Sequence, residues 1–331
     1  MMATVRPRAV LVGAVALAGM AVLAVLTLGT GDFPIAPGDV VRTLAGQGTA
    51  AHAFIINELR LPRVVTAVLV GMALAASGAT FQSLTRNPLG SPDVLGIVNG
   101  ASTAGLAVVV LGGTSAQLSL AAVAGGVAAA LLIQLVGGRR GLHGYRFILV
   151  GVGMAAILNG ISGWLLTKGV QMENARAMLW LTGSFDGRGW EEALPLLGVL
   201  VVAVPFLALA CGPGLRMLEM GDDIAAGLGV PVRRVRTGAL LAAALVVACA
   251  AAAAGPVNFV ALIAPNIARR LTRAPGPNLL PSMAVGALLT VGADWLAMHS
   301  GYPLPVGVVT GALGGAYLVW LLVSQRKAGR I

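Results

Sequence analysis

About ten apolar runs recur along this 331-residue chain, most of them about 17 residues or longer, the length at which a helix begins to cross a bilayer core. Lipid offers a backbone amide no partner, so only helices or closed barrels can span it. The runs are continuous rather than alternating with period two, which predicts helices and excludes a barrel. Composition agrees: charged residues make up 10% of the chain, against about 25% in soluble domains. The 46 glycines fit helices packed closely through small residues. The predicted fold class is an all-α polytopic membrane protein, one transmembrane domain over residues 1–331.

The expected spans are 9–29, 64–81, 94–111, 117–136, 147–167, 193–211, 237–255, 259–270, 280–298 and 305–324. The eighth is too short to cross upright and reads as a half-span or a helix buried by its neighbours. The first follows Arg6 and Arg8. Its roughly 20 apolar residues exceed the 7–15 of a signal sequence, so an uncleaved span is expected, with cleavage near Met20 as the alternative. Cys211 and Cys249 fall in or beside spans and read as small buried hydrophobes rather than a disulfide framework.

Ten crossings put both termini on one side. With that side cytoplasmic, the inner segments hold Arg6, Arg8, Arg86, Arg139, Arg140, Arg146, Arg216, Arg233, Arg234, Arg236, Arg269, Arg270, Arg273, Arg326, Lys327 and Arg330, which is 16 of the 22 basic residues. The outer segments hold Arg42, Arg60, Arg63, Lys168, Arg176 and Arg188. The excess of cytoplasmic positive charge supports cytoplasmic termini. The net charge of +10 is then mostly an inner-face property and implies no nucleic-acid partner.

Enzymatic chemistry finds no local motif. His52, His143 and His299 are far apart, and none belongs to an HExxH pattern. A phosphate-binding P-loop needs lysine followed by serine or threonine, but Lys168 precedes glycine and Lys327 precedes alanine. No cofactor or metal is expected. Proton- or ion-coupled carriers usually place acidic groups at the midplane of their spans. Here Asp294 is the only carboxylate inside the expected spans, near the outer end of the ninth. Asn159 and Gln134 read as helix-to-helix hydrogen bonds.

Four stretches remain. NELRLPRVV, 57–65, puts Arg60 and Arg63 three apart at the outer end of a span, sharing one helical face if the helix starts this early. They either snorkel or pair with Glu58, or receive an acidic partner. RNPLGSPDVLG, 86–96, contains Asn87–Pro88 and Ser91–Pro92, which predict a tight inner turn ahead of the third span, with Asp93 near its N-terminus; direct substrate contact is the other reading. GDDIAAGLGV, 221–230, is too short and polar to span. Asp222 and Asp223 suit the start of a short helix that Gly227 and Gly229 end. In GPVNFVALIAPNIARRLTR, 255–273, Gly255 precedes Pro265 by the same interval that separates Gly78 from Pro88. The two copies are five spans apart, a weak echo of the inverted repeats found in transporters.

Residues 59–102, 221–230 and 255–273, in this order, closely resemble the FecCD family, the permease subunits of ABC importers for ferric siderophores, haem and vitamin B12. The likeness runs from the second span through PVGVVTGALGGAYLVWLL at 305–322. It implies a second permease subunit, as homo- or heterodimer, two cytoplasmic ATPase subunits, an extracytoplasmic substrate-binding protein, and a multi-pass place in the inner membrane among lipid. By resemblance Gly221, Asp222, Asp223, Ala226, Gly227 and Gly229 form the segment that couples to the ATPase, and Arg60 and Arg63 receive glutamates of the binding protein. Asn87, Pro88, Pro265 and Asn266 are read as structural turn residues. WLTGSFDGRGW, 180–190, and ALIAPNIARRL, 261–271, look most like the ferric-enterobactin permease branch, so a catecholate ferric siderophore is the expected cargo, with haem or a corrinoid as alternatives. Residues 173–192 are then a short outer helix beside the mouth, with Trp180, Phe185 and Trp190 in an aromatic belt. Many relatives have Pro–His where this chain has Pro265–Asn266, an acid where it has Pro303, and some an arginine where it has a residue near Met298 or His299. An ion-coupled secondary carrier is the rival reading; it accounts for the echo but not for GDDIAAGLGV.

Overall fold

The computed structural model describes residues 7–137, 144–168, 171–302 and 304–327, and every regular element among them is helical. Pro303, one of the departures above, lies outside the described residues. In chain order the helices are α1 (Pro7–Gly29), α2 (Pro37–Leu44), α3 (Ala50–Thr85), α4 (Ile97–Val110), α5 (Ser115–Gly137), α6 (Gly144–Leu166), α7 (Gln171–Leu181), α8 (Trp190–Leu218), α9 (Asp222–Gly227), α10 (Val232–Ala254), α11 (Val260–Thr272), α12 (Leu279–Met298) and α13 (Val306–Lys327).

Seven of the described helices are long and apolar enough to cross a membrane: α1, α3, α5, α6, α8, α10 and α12. The expected third, eighth and tenth spans are α4, α11 and α13, of which α4 and α11 are short, 14 and 13 residues. The second span starts earlier than expected. It joins the outer helical turns at Ala50 through a π-helical turn, Ile55–Arg60, and a second π-turn, Phe206–Cys211, interrupts α8. Each lies just before a proline, Pro62 and Pro213. Proline has no N–H to give the preceding turn, and a widened turn accommodates the missing bond.

The centre is built from α3, α10 and α12, whose apolar windows are mostly inside the protein, whereas α1 and α6 are almost wholly on the outside. Lipid is as apolar as leucine, so close packing rather than hydrophobicity joins the helices. Small residues make that possible. At the α3–α12 crossing a side chain on Gly71 would meet the Gly286 carbonyl, and one on Gly286 would meet that of Gly71. Gly100 and Gly125 do the same for α4 and α5. Polar side chains tie the same seams. Ser77 Oγ donates to the Ala243 carbonyl at 2.9 Å, and Thr290 Oγ1 to that of Ala67 at 2.7 Å. The two amides singled out in the spans act alike: Gln134 Nε2 donates to Thr237 Oγ1 at 2.8 Å, and Asn99 Nδ2 donates to Asn159 Oδ1 at 2.7 Å.

Residues 255–259 break the chain between α10 and α11, and the loop after α7 straps the break. Ser184 N–H donates to the Ala254 carbonyl at 2.8 Å, and Gly307 N–H to that of Gly183 at 3.1 Å. The echo seen in the sequence does not extend to local structure. Gly78 lies inside continuous α3, against the Ala261 carbonyl, whereas Gly255 ends α10 with φ +72°.

Candidate functional site

The C-terminal end of α3 closes on a left-handed Arg86, φ +52°. Asn87 then makes the turn predicted for it: its Oδ1 accepts Leu89 N–H at 2.9 Å, and its carbonyl accepts Gly90 N–H at 2.9 Å. Asn266 ties this turn to α11, donating from Nδ2 to the carbonyls of Pro88 at 2.8 Å and Leu262 at 2.9 Å. Pro265, inside α11, cannot donate to the Ala261 carbonyl. That carbonyl packs on Gly78, where a Cβ would overlap it. Pro265 and Asn266, expected as turn residues, instead lie inside α11, and with the turn at Asn87 and Pro88 they form one joint between α3 and α11. Asp93 lies just ahead of the third span, as expected, and its side chain caps the other end of α11, Oδ2 accepting Phe259 N–H at 3.1 Å.

The segment 221–230 is the short helix the sequence predicts, but its aspartates act differently. Gly221 is the N-cap residue. Rather than capping amides, the Asp222 carboxylate is gripped by Arg86 Nη2 at 2.6 Å and by Arg236 Nη1 and Nη2 at 3.0 and 2.9 Å. One side chain thus ties α9 to the ends of α3 and α10. Glu219 adds a second tie, accepting from Ser83 Oγ at 2.8 Å and from Gly276 N–H at 3.1 Å. The far end closes with Gly229, φ +81°, donating to the Ala226 carbonyl at 2.9 Å while Val230 N–H reaches that of Ala225 at 3.0 Å. This paired closure needs a left-handed residue, which glycine supplies without steric cost. Ala225 is buried, while Asp223, Ala226 and Gly227 are exposed. Met220, Ile224 and Leu228, four apart, lie bare to solvent at 54%, 54% and 60% exposure.

In the N-terminal half of α3 the two arginines point to different partners instead of sharing one face. Arg60 donates to the Leu28 carbonyl from Nη1 and to the Phe33 carbonyl from Nη2, both at 2.7 Å. It supplies the cation that the free carbonyls at the end of α1 attract. Arg63 spans three elements. Its Nε and Nη2 hold the two oxygens of Asp294 on α12 at 3.1 and 2.8 Å, and its Nη1 reaches Asp186 at 3.0 Å. Asp294 is buried, whereas the Asp186 side chain is 83% exposed. Within the chain both guanidiniums are already engaged.

Beside them opens a cavity of about 1350 Å³, lined among others by Arg63, Arg176, Trp180, Asp186, Arg188 and Tyr302. Burial pulls the Arg188 guanidinium below its ordinary pKa, against the opposite pull of Glu192 and Asp186. The loop aromatics are not an interfacial belt. Phe185 is fully buried and Trp180 nearly so, its ring lying against Gly105, because the loop folds back over the α10–α11 break. Sequence reasoning missed the Arg86, Arg236, Glu219 and Asp186 contacts. Nothing in the spacing of these residues pairs them with partners that lie, for most of these contacts, 57 to 136 positions away.

Comparison with known proteins extends over nearly the whole chain. Residues 19–324 match the FecCD transport family. The ferric enterobactin transport system permease protein FepG of Escherichia coli is 40% identical over 91% of this chain and 92% of its own length. The achromobactin transport system permease protein CbrC of Dickeya dadantii is 40% identical over 95% and 92%. The vitamin B12 import system permease protein BtuC of Vibrio vulnificus is 34% identical over 95% and 94%. A solved structure of a metal-chelate type ABC transporter, in an inward-facing conformation, superposes with a TM-score of 0.82 at 26% identity, covering 96% of this chain and 99% of that one. With its all-helical fold and its apolar helices of membrane length, the chain belongs to the FecCD transport family and is a multi-pass membrane permease of the siderophore and ABC-importer type.

Proposed function

We propose that this permease subunit moves a ferric siderophore of the catecholate type across the cytoplasmic membrane, powered by ATP hydrolysis on separate subunits. It pairs with itself or a similar permease, two ATPase subunits bind at the cytoplasmic face, and a binding protein delivers cargo from outside. Both termini are cytoplasmic, and the chain itself has no nucleotide site. The observation that carries this reading is α9. A six-residue helix, tied to α3 and α10 through Asp222, exposes Ile224 to solvent, with Met220 and Leu228 bare on either side of it. An apolar stripe on a projecting helix is the form in which helices enter grooves of partner proteins. Through these ties to α3 and α10, movement of an ATPase is passed to the membrane helices. The catecholate preference rests on the likeness to FepG, a ferric enterobactin permease protein.

On the outer face we assign docking of the binding protein to the rim around Arg60 and Arg63. The Asp186 arm of Arg63 is exposed, so a glutamate of an incoming protein competes there with Asp186 while Asp294 keeps its two buried bonds. Proteoliposomes holding the permease, its ATPase and its binding protein test the reading. ATP-dependent uptake of a ferric siderophore is expected, with no ATP binding by the isolated permease. Uptake driven by an ion gradient without ATP would reverse it in favour of a secondary carrier.

A further inference from the structure

The charges that line the outer cavity are Asp32, Arg63, Arg176, Asp186 and Arg188. Four of them have opposite charges nearby within the chain. Arg63 is held by Asp294 and Asp186, Arg188 faces Glu192 at 3.8 Å and donates to the Ser184 carbonyl at 3.4 Å, and Asp32 acts on Arg60. Arg176 differs. It sits on α7, exposed at the cavity wall, and its guanidinium has no hydrogen bond or ion pair among the described residues. Trp180 follows one helical turn later and lines the same space, and Tyr302, 79% exposed, stands at its edge. An exposed guanidinium without a partner among the described residues, in a cavity that Trp180 and Tyr302 also line, favours an anion that is itself aromatic. The planar fork holds adjacent oxygens through parallel bonds, and ring faces attract the cation. The space also exceeds the roughly 300–1,000 Å³ of a site for a drug-sized ligand, which leaves room for a bulky chelate.

We propose that Arg176 is the charge-selecting contact of the outer mouth. It receives an aryl polyanion, a ferric tris-catecholate, as the chelate leaves the binding protein, with the ring of Tyr302 against a catechol face. This assignment rests on the importer reading above and adds to it the group that distinguishes cargo. A tris-catecholate chelate is anionic and aromatic on its outside. A ferric trihydroxamate of the ferrichrome kind is uncharged and lacks the rings, so it gains nothing from Arg176.

The test compares wild type, Arg176→Gln and Arg176→Lys in proteoliposomes of the complete complex, using a ferric tris-catecholate and an uncharged ferric trihydroxamate as probes. In Arg176→Gln the KM for the tris-catecholate is expected to rise about tenfold, equivalent to about 1.4 kcal/mol, with no change in how the trihydroxamate is handled. Arg176→Lys is expected to recover only part of the loss, because the charge remains but the planar fork does not. Binding-protein docking is measured in parallel, and a docking defect large enough to account for the KM change would overturn the assignment. So would wild-type kinetics in Arg176→Gln, or a wild-type complex that carries only the trihydroxamate. If the wild-type complex imports neither chelate, the siderophore-importer reading falls and this assignment with it.

Discussion

Arg63 and Asp294, 231 residues apart, join the N-terminal half of α3 to the C-terminal end of α12 through two hydrogen bonds of 3.1 and 2.8 Å. The Asp294 side chain is 2% exposed and that of Arg63 21%. Removing Asp294 takes the buried partner from a partly exposed guanidinium that keeps only the exposed Asp186, which puts the loss at or below the low end of the roughly 3–5 kcal/mol of a fully buried pair. Asp294→Ala is therefore expected to lower the thermal unfolding temperature of the detergent-purified protein. The swapped pair Arg63→Asp with Asp294→Arg should recover part of it. A thermal melt of Asp294→Ala indistinguishable from wild type would mean the pair contributes little.

The same pair changes how docking must be tested. Reversing Arg60 and Arg63 to glutamate also strips internal bonds, so a loss of docking in that double variant would mix folding with recognition. Asp186 separates them, because its exposed carboxylate competes for Arg63 without being part of the buried pair. Asp186→Asn is expected to tighten binding-protein docking several-fold, and docking of the wild type should weaken as salt rises. Neutral substitution of Arg42, whose side chain is 73% exposed, should have little effect. Affinity measured in nanodiscs at two salt concentrations decides it; weaker docking in Asp186→Asn would place the contact elsewhere.

Gly229 supports a further prediction at the opposite face. Its φ of +81° costs a residue with a β-carbon about 1–2 kcal/mol, yet a Cβ added there would have no atom within 4 Å. Backbone geometry and steric access can thus be separated. Gly229→Asn, which tolerates the left-handed region, should keep ATPase association and transport. Gly229→Trp, expressed at normal levels, should lose both because its bulk stands where the partner docks. Pull-down with the ATPase and uptake assays report the difference. A Gly229→Trp complex that assembles and imports cargo rules out α9 as the coupling element.

The glycine crossing of α3 and α12 makes the last prediction. Each of Gly71 and Gly286 meets the carbonyl of the other, so Gly71→Leu has to push two helices apart, with overpacking costs of about 1–3 kcal/mol or more. Gly160 on α6 has open space around it, and Gly160→Ala is expected to leave stability unchanged. Thermal unfolding and the yield of folded protein in detergent check both. Equal stability of the two variants would show that the crossing is slack.

Where helices form, and where they stop, is legible in the sequence because both are local properties. Continuous apolar runs dictate helix in lipid, Asn87–Pro88 cannot continue one, and Gly229 can close one. That is why the turns and α9 lie where the sequence predicts them. Which side chain answers which charge is not local. Asp222 has the position of a helix cap, yet Arg86 and Arg236 arrive from α3 and α10 and take its carboxylate. A charge-assisted bond to guanidinium is stronger than one to a neutral amide. Arg60 and Arg63 have the spacing of neighbours on one face, but the π-turn ahead of Pro62 and the arrival of α12 aim them at different partners. Trp180 and Phe185 have the composition of interfacial aromatics, but the loop folds back over the α10–α11 break and buries them. The sequence by itself determined that the chain is built of apolar helices and the family to which it belongs. Only the tertiary structure decided which buried charges meet, because low-dielectric pairing depends on distances that chain spacing does not encode.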